Sequence, residues 1–252
     1  MKRVVFVDFG LRPERVRAAQ YAASIVSVLG CELMLRIDEA QRIDQDMFQC
    51  AAQERIELDP KTFLIANQAT HVGRKLVEGG LYVAAYPDTA RLDSLERGTH
   101  VLFSHDETSL ARRKDQGIKI ALPFGDQKDA ALANLAALRP IAQALGATIV
   151  GVHATYRDPR IKSEEPQKHM NRAARETQDT LAAFALGARI EFSTRVGMGV
   201  DLVPFVSNAA NELGCNLIAV APGRALRDSY AHEVERTTNL PTLMLSTEGG
   251  AR

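Results

Sequence analysis

Short apolar runs alternate with longer amphipathic segments along the whole chain. The runs at 4–7, 32–37, 118–124 and 148–153 are rich in β-branched or other apolar residues. Such runs are typical of strands that are buried on both faces of a parallel sheet. The pattern therefore predicts strands that are connected by helices, which is the arrangement of an α/β protein.

Each pair of runs encloses a segment whose apolar residues recur every three or four positions, the period of an amphipathic helix. These positions are Val16, Ala19, Ala23 and Val26 in the first segment, and Leu132, Leu135, Leu138 and Ile141 in the second. We expect Gly30 and Gly146 to close the two helices in the left-handed conformation. Pro140 is expected to kink the second helix after Arg139.

The sequence contains an internal repeat. Residues 2–37 match 119–154, the segment 54–58 matches 188–192, and 80–90 matches 216–225. A repeat of this length indicates two copies of one domain rather than one large fold. Each site is therefore sought in both copies, and it can survive in one of them alone.

The same alternation continues to the end of each copy. In the first copy it predicts strands at 54–58, 81–86 and 100–104, with helices near 60–77 and 89–97. In the second copy it predicts strands at 189–194, 216–221 and 242–246, with helices near 199–213 and 228–238. Five strands in each copy predict two tandem α/β domains, each a doubly wound, five-stranded parallel sheet of the Rossmann-like type. We expect domains at 1–105 and 118–252, joined by a polar linker at 106–117.

Charge and composition exclude several classes of partner. The chain has 252 residues, of which 31 are basic and 31 acidic, so no net field attracts nucleic acid or an anionic membrane. No apolar run reaches the roughly 20 residues of a membrane span, and the N-terminus lacks the apolar core of a signal peptide. We expect a cytoplasmic protein. Cys31, Cys50 and Cys215 are far apart and lack metal-ligand spacing, so we expect no metal site. Cys31 and Cys215 each follow a Leu-Gly pair at the start of a predicted strand and are expected to be core cysteines.

The second copy resembles a universal stress protein domain. The matching blocks are IKIALPF, an acidic turn at 125–127, an Ala-rich helix that ends in ALGA, and the strand TIVGVHA. They continue with NELGCNLIAVAPG and finish with TTNLPTLML. The resemblance covers about 119–247 and, more faintly, 2–105. It implies a tandem universal stress protein with the sheet of the adenine nucleotide alpha hydrolase-like proteins.

The resemblance also implies a candidate site for ATP or another adenine nucleotide. Family members that bind ATP carry an aspartate at the end of the first strand and a loop of the form G-x2-G-x9-G-[ST] after the fourth. Glycines let backbone N–H groups approach the phosphates, and the last hydroxyl completes the anion site. In the first copy Asp8 occupies the aspartate position, but the loop has no glycine and contains Asp88 and Asp93.

The second copy retains other parts of this pattern. Gly125 occupies the aspartate position, with Asp126 one place later. The candidate ligand-binding residues of the second copy are Asp126, Gly223, Arg224, Arg227 and Ser229. Only five residues separate Gly223 from Ser229, so this loop is shorter than the family's. Four alternatives stay open: Asp8 caps the following helix, Gly223 serves only the turn out of the fourth strand, Ser229 is an N-cap, and the two arginines are merely solvated.

Two classes of function follow. The first is a non-enzymatic stress-response module that binds an adenine nucleotide weakly in its second domain. The alternative is an interaction protein that uses a tandem pseudo-dimer surface to recruit an unknown protein partner, with a homodimer as a further form. We expect no catalytic residues, because the histidines are scattered and the SGGxDS loop of related hydrolases is absent. The last strands of the two copies, 100–104 and 242–246, are expected to pair antiparallel within the chain.

Overall fold

The computed structural model divides the chain into two compact units, Met1–Gln116 and Gly117–Arg252. The residues that it describes are 3–8, 18–37 without 19, 20, 23 and 27, 70–71, 80–85, 100–104, 117–124, 128–155, 168, 172, 175–176, 179, 190–198, 202–220 and 230–245. The division falls at the end of the predicted linker. Because 105–116 lie outside the described residues, the bounds of the linker and of the two domains stay a prediction.

The first unit contains a parallel sheet. Its strands are β1 (Arg3–Asp8), β2 (Glu32–Ile37), β3 (Thr70–His71), β4 (Gly80–Ala85) and β5 (His100–Ser104). They lie in the order β3-β2-β1-β4-β5, and every pair is parallel. Residues 18–29 between β1 and β2 are helical wherever they are described, and Ala18, Tyr21, Ala22 and Ile25 are buried there. Val26 is buried as predicted.

The second unit repeats this arrangement. Its elements are β6 (Lys119–Phe124), α1 (Lys128–Leu145), β7 (Thr148–Thr155), β8 (Ile190–Met198), α2 (Leu202–Glu212), β9 (Leu217–Val220), α3 (Tyr230–Thr237) and β10 (Thr242–Met244). The strand order is β10-β9-β6-β7-β8, again with parallel pairs. The predicted α/β class with doubly wound, Rossmann-like sheets is confirmed.

The third strand of the first unit contradicts the prediction. β3 lies inside the segment predicted as a helix at 60–77, and its Thr70 and His71 pair with Met34 and Leu35 of β2. The helix prediction was wrong here because a strand of two residues is too short to show an alternating pattern. The predicted strand at 54–58 lies outside the described residues.

The register shows which segments of the two copies are equivalent. Leu35 pairs with His71 in the first unit, and Val152, the repeat equivalent of Leu35, pairs with Arg195 in the second. The strings Thr-His-Val-Gly at 70–73 and Thr-Arg-Val-Gly at 194–197 are therefore the matching third-strand sequences. The sequence match of 54–58 with 188–192 stays a prediction, because 54–58 lie outside the described residues.

Helix α1 packs one apolar face on the sheet. Its buried residues are Ala131, Leu135, Leu138, Ile141, Ala142 and Leu145, whereas Leu132, which was also predicted to be in the core, is only half-buried. The helix continues through Pro140 to Leu145. Proline cannot donate to the carbonyl four residues earlier, which belongs to Ala136. Both residues are exposed, so water can hydrate that carbonyl.

Glycines end the helices as predicted. Gly30 and Gly146 both have φ of 61°, and Gly214 after α2 has φ of 66°. After α1, the N–H of Gly146 donates to the carbonyl of Gln143, and the N–H of Ala147 donates to the carbonyl of Ala142. The N–H groups of Gly214 and Cys215 repeat this pair of hydrogen bonds after α2. Both are Schellman caps, which satisfy the last helical carbonyls and turn the chain back toward the sheet.

Candidate functional site

The strand order creates one special position in each sheet. In the second unit the first strand, β6, lies between β7 and β9, so the chain has continued from β6 to one side and returned on the other. Ligands of doubly wound sheets bind in the crevice at this switch point, outside the carboxyl ends of the strands. β6 and β9 end at this edge, and the segments 125–127 and 221–229 follow them in the sequence.

The segments 125–127 and 221–229 contain the predicted ligand-binding residues of the second unit. Asp126 follows β6, and Gly223, Arg224, Arg227 and Ser229 follow β9. All five lie outside the described residues. The described strand ends are Phe124 and Val220, and they belong to neighbouring strands of one sheet. Each of the two segments follows one of these residues in the sequence. The assignment of the five residues as ligand contacts stays a prediction.

Asp8 lies at the corresponding edge of the first unit. It is the last residue of β1 and pairs with Ile37, the last residue of β2. The switch point of this unit lies between β1 and β4. Asp8 therefore has the strand-end position that the resemblance implies, whereas the loop with Asp88 and Asp93, and the predicted helix that Asp8 would cap, lie outside the described residues.

The pairing between β6 and β9 stops before either strand ends. Its register covers Ile120 with Leu217 and Ala121 with Ile218. β6 nevertheless stays paired with β7 as far as Phe124, and β9 stays paired with β10 as far as Val220. Within the described residues, the carboxyl halves of the two central strands are therefore each paired on their outer side alone.

Pro123 lies in the stretch of β6 that is paired with β7 but not with β9. The sequence analysis did not identify this residue. A proline has no N–H to donate and is rare inside a central strand. That rule is the signal that could have identified the residue, because 118–124 was predicted as a strand that is buried on both faces. Pro123 is half-buried, next to the fully buried Leu122.

His153 also lies near the carboxyl edge. It pairs with Phe124, the last residue of β6, and only 5% of its surface is exposed. The residue lies within β7.

The cysteines do not form a site in the described part of the chain. Cys215 is buried, Cys31 is half-buried, and both are free thiols. Burial raises the pKa of the Cys31 thiol, against an opposing backbone hydrogen bond. No cluster of three or more His, Cys, Asp or Glu residues suited to a metal ion occurs among the described residues. No helix in the described ranges has the length and apolar character needed to cross a membrane.

Comparison with known proteins identifies the fold. No protein-family model matches the sequence, and no curated protein matches it. Among solved structures, a universal stress protein from Archaeoglobus fulgidus DSM 4304 matches 97% of this chain and 96% of its own, with a TM-score of 0.57 and 11% identity. The chain has the fold of a universal stress protein. The resemblance predicted from the sequence blocks is confirmed at the level of the fold.

A second solved structure also matches both units of this chain. A protein of unknown function from Pseudomonas aeruginosa PAO1 matches 98% of this chain and 93% of its own, with a TM-score of 0.57 and 15% identity. Both matches span both units of this chain. The universal stress protein fold therefore describes the first unit as well as the second, although the sequence resemblance of the first is fainter.

Proposed function

We propose that this chain is a tandem universal stress protein that binds an adenine nucleotide in its second unit and has no catalytic activity. The observation that carries the proposal is the switch point between β6 and β9. Two neighbouring strands end there, their mutual pairing stops early, and the loop with Gly223, Arg224, Arg227 and Ser229 follows directly.

The chemistry of that loop suits a phosphate. Gly223 lets the backbone approach an anion, Ser229 offers a hydroxyl, and the two arginines supply positive charge. The corresponding loop of the first unit has Asp88 and Asp93 instead, which repel phosphate. We expect modest affinity in the second unit, because the loop has one glycine and few backbone donors can reach the phosphates.

The two units are proposed to form an intrachain pseudo-dimer. β5 stands at one end of the strand order of the first unit, and β10 stands at one end of the strand order of the second. Such strands have unpaired backbone groups on one side, which a partner strand can satisfy. Antiparallel pairing of β5 with β10 stays part of this proposal, and so does any further homodimer.

The decisive experiment is nucleotide binding by the purified full chain. Mass spectrometry of the denatured supernatant identifies any co-purified nucleotide, and calorimetry with ATP, ADP and AMP measures affinity. Arg224→Ala should weaken binding about tenfold, the typical effect of one charge-assisted hydrogen bond to phosphate. Arg175→Ala, which removes the same charge from an exposed helical position, is the matched control and should leave affinity unchanged. Tight binding that Arg224→Ala does not weaken would place the site elsewhere.

The alternative is an interaction protein without a nucleotide. The incomplete glycine pattern of the loop after β9 favours it, because phosphate loops depend on close backbone approach. This function predicts no co-purified nucleotide and no heat of binding at millimolar ATP. An unknown protein partner would then be recognised by the surface of the proposed pseudo-dimer.

A further inference from the structure

We infer that Pro123 keeps the switch-point crevice of the second unit open, and that it is a positioning residue for the ligand. Its role in ligand binding rests on the proposed function, whereas its effect on strand pairing does not. The first observation is the location of the gap. After their mutual pairing ends, β6 continues in the sheet for three residues and β9 for two, so the gap does not result from the end of a strand.

The direction of the backbone shows why Pro123 matters. The N–H and the carbonyl of Lys119 both point toward β9, where they bond to Asn216. Backbone groups of alternate residues point to the same side of a strand, so the nitrogen of Pro123 also points toward β9. That nitrogen has no hydrogen. The next donor needed to extend the pairing beyond Ala121 is therefore missing at Pro123.

The first unit contains an internal comparison. Its equivalent pairing, between β1 and β4, begins with Arg3 and Gly80 and continues to Phe6 and Val83. Phe6 is the repeat equivalent of Pro123 and has a backbone N–H. With this donor present, the pairing extends two residues further toward the carboxyl edge. The pairing between the two central strands is thus longer in the first unit, between β1 and β4, than in the second, between β6 and β9.

The shorter ladder deepens the crevice on the carboxyl side. Two residues of strand correspond to about 6.6 Å. The backbone groups of Ile218 and Val220 bond on the β10 side of β9. The carbonyl of Ala219, which lies between them, therefore points to the other side, toward β6 and the nitrogen of Pro123. Ala219 is fully buried, and a buried carbonyl needs a donor. A buried water molecule can supply that donor where the strand cannot.

The test is Pro123→Ala in the full chain. The new N–H at position 123 should bond to the Ala219 carbonyl, which backbone NMR detects as at least about a hundredfold slower exchange than for an open amide. Closing the crevice should weaken nucleotide binding about tenfold in calorimetry. Pro140→Ala is the matched control, because it also restores an N–H but on the exposed face of α1. It should leave nucleotide affinity unchanged.

Each outcome decides part of the inference. Rapid exchange at position 123 would show that the proline does not end the ladder and would overturn the inference. Slow exchange together with unchanged affinity would refute the positioning role. If the wild-type protein binds no nucleotide, the proposed function fails, and the exchange rate at position 123 still decides whether Pro123 keeps the two strands apart.

Discussion

The side chain of Asn216 is hydrogen-bonded to the backbone of Lys119 across the amino ends of β9 and β6. Its Oδ1 atom accepts from the Lys119 N–H at 2.6 Å, and the Asn216 N–H donates to the Lys119 carbonyl at 2.8 Å. Asn216 is 8% exposed, so these bonds are shielded from water. The two central strands of the second unit are thus closed at their amino ends by a side chain and open at their carboxyl ends beside Pro123.

Removing the Asn216 side chain should destabilise the second unit. Asn216→Ala leaves the Lys119 N–H without its acceptor, which costs about 1–3 kcal/mol when the group is buried. Asn216→Asp keeps an acceptor oxygen at the same position, and it should cost less at about pH 3, where an ordinary Asp carboxyl is mostly protonated and no charge is buried. Urea unfolding of both variants measures the difference. Equal losses in the two variants would show that the amide oxygen is not what stabilises this end of the ladder.

The Schellman glycines are a second test. At Gly146, with φ of 61°, an added Cβ would meet no atom within 4 Å, so steric clash with neighbours is excluded. Gly146→Ala should therefore cost only the left-handed backbone strain, about 1 kcal/mol. Asn tolerates this conformation better, and Gly146→Asn should cost less. Thermal unfolding distinguishes the two, and a larger loss for Asn than for Ala would contradict the strain argument.

Periodicity was sufficient for most of the fold. β1, β2, β6 and β7 were predicted within two residues of their observed bounds, because their apolar runs are long enough to exclude other patterns. It failed at β3, where two residues of strand show no alternation. Periodicity also did not predict that the pairing between β6 and β9 ends before Pro123. An apolar run shows that a strand is buried, but the pairing of each backbone group depends on which neighbour its nitrogen faces.

The candidate site could be predicted only in part. The position of Asp8 at a strand end follows from the run that precedes it, and the switch point follows from the strand order. Which strands are neighbours is a property of the folded sheet. The contribution of Pro123 became visible only when β9, from a segment almost 100 residues later, was found beside β6.

Cys31 should make stability depend on alkaline pH. Burial raises the pKa of its thiol above the usual value, so the folded chain keeps this proton when the unfolded chain has lost it. The stability contribution is complete below the unfolded thiol pKa and decreases as the pH rises toward the folded value. Cys31→Ala should show a shallower loss of unfolding free energy across this range. Parallel losses in wild type and variant would assign the pH dependence to other groups.

The first unit is predicted to be structural, and Leu102 is the residue to test. Its side chain is 2% exposed in β5. Leu102→Glu would bury a charge without a partner and should destabilise the chain by about 3 kcal/mol or more, with aggregation on heating. Leu102→Met conserves volume and should cost less than about 1.5 kcal/mol. Unaltered thermal unfolding of Leu102→Glu would show that this strand does not contribute to the core.

A substitution of Asp8 tests the same assignment of roles to the two units, by its effect on nucleotide affinity. Its strand-end position is the one that the sequence resemblance implies for a ligand-binding aspartate, but the segment 86–94 after β4 contains Asp88 and Asp93 and no glycine. Without backbone donors for phosphate, a carboxylate at the strand end is insufficient to hold a nucleotide. Asp8→Ala should therefore leave nucleotide affinity within about twofold of wild type in calorimetry, whereas Arg224→Ala lowers it about tenfold. Loss of binding in Asp8→Ala with full binding in Arg224→Ala would reverse the assignment and make the first unit the functional one.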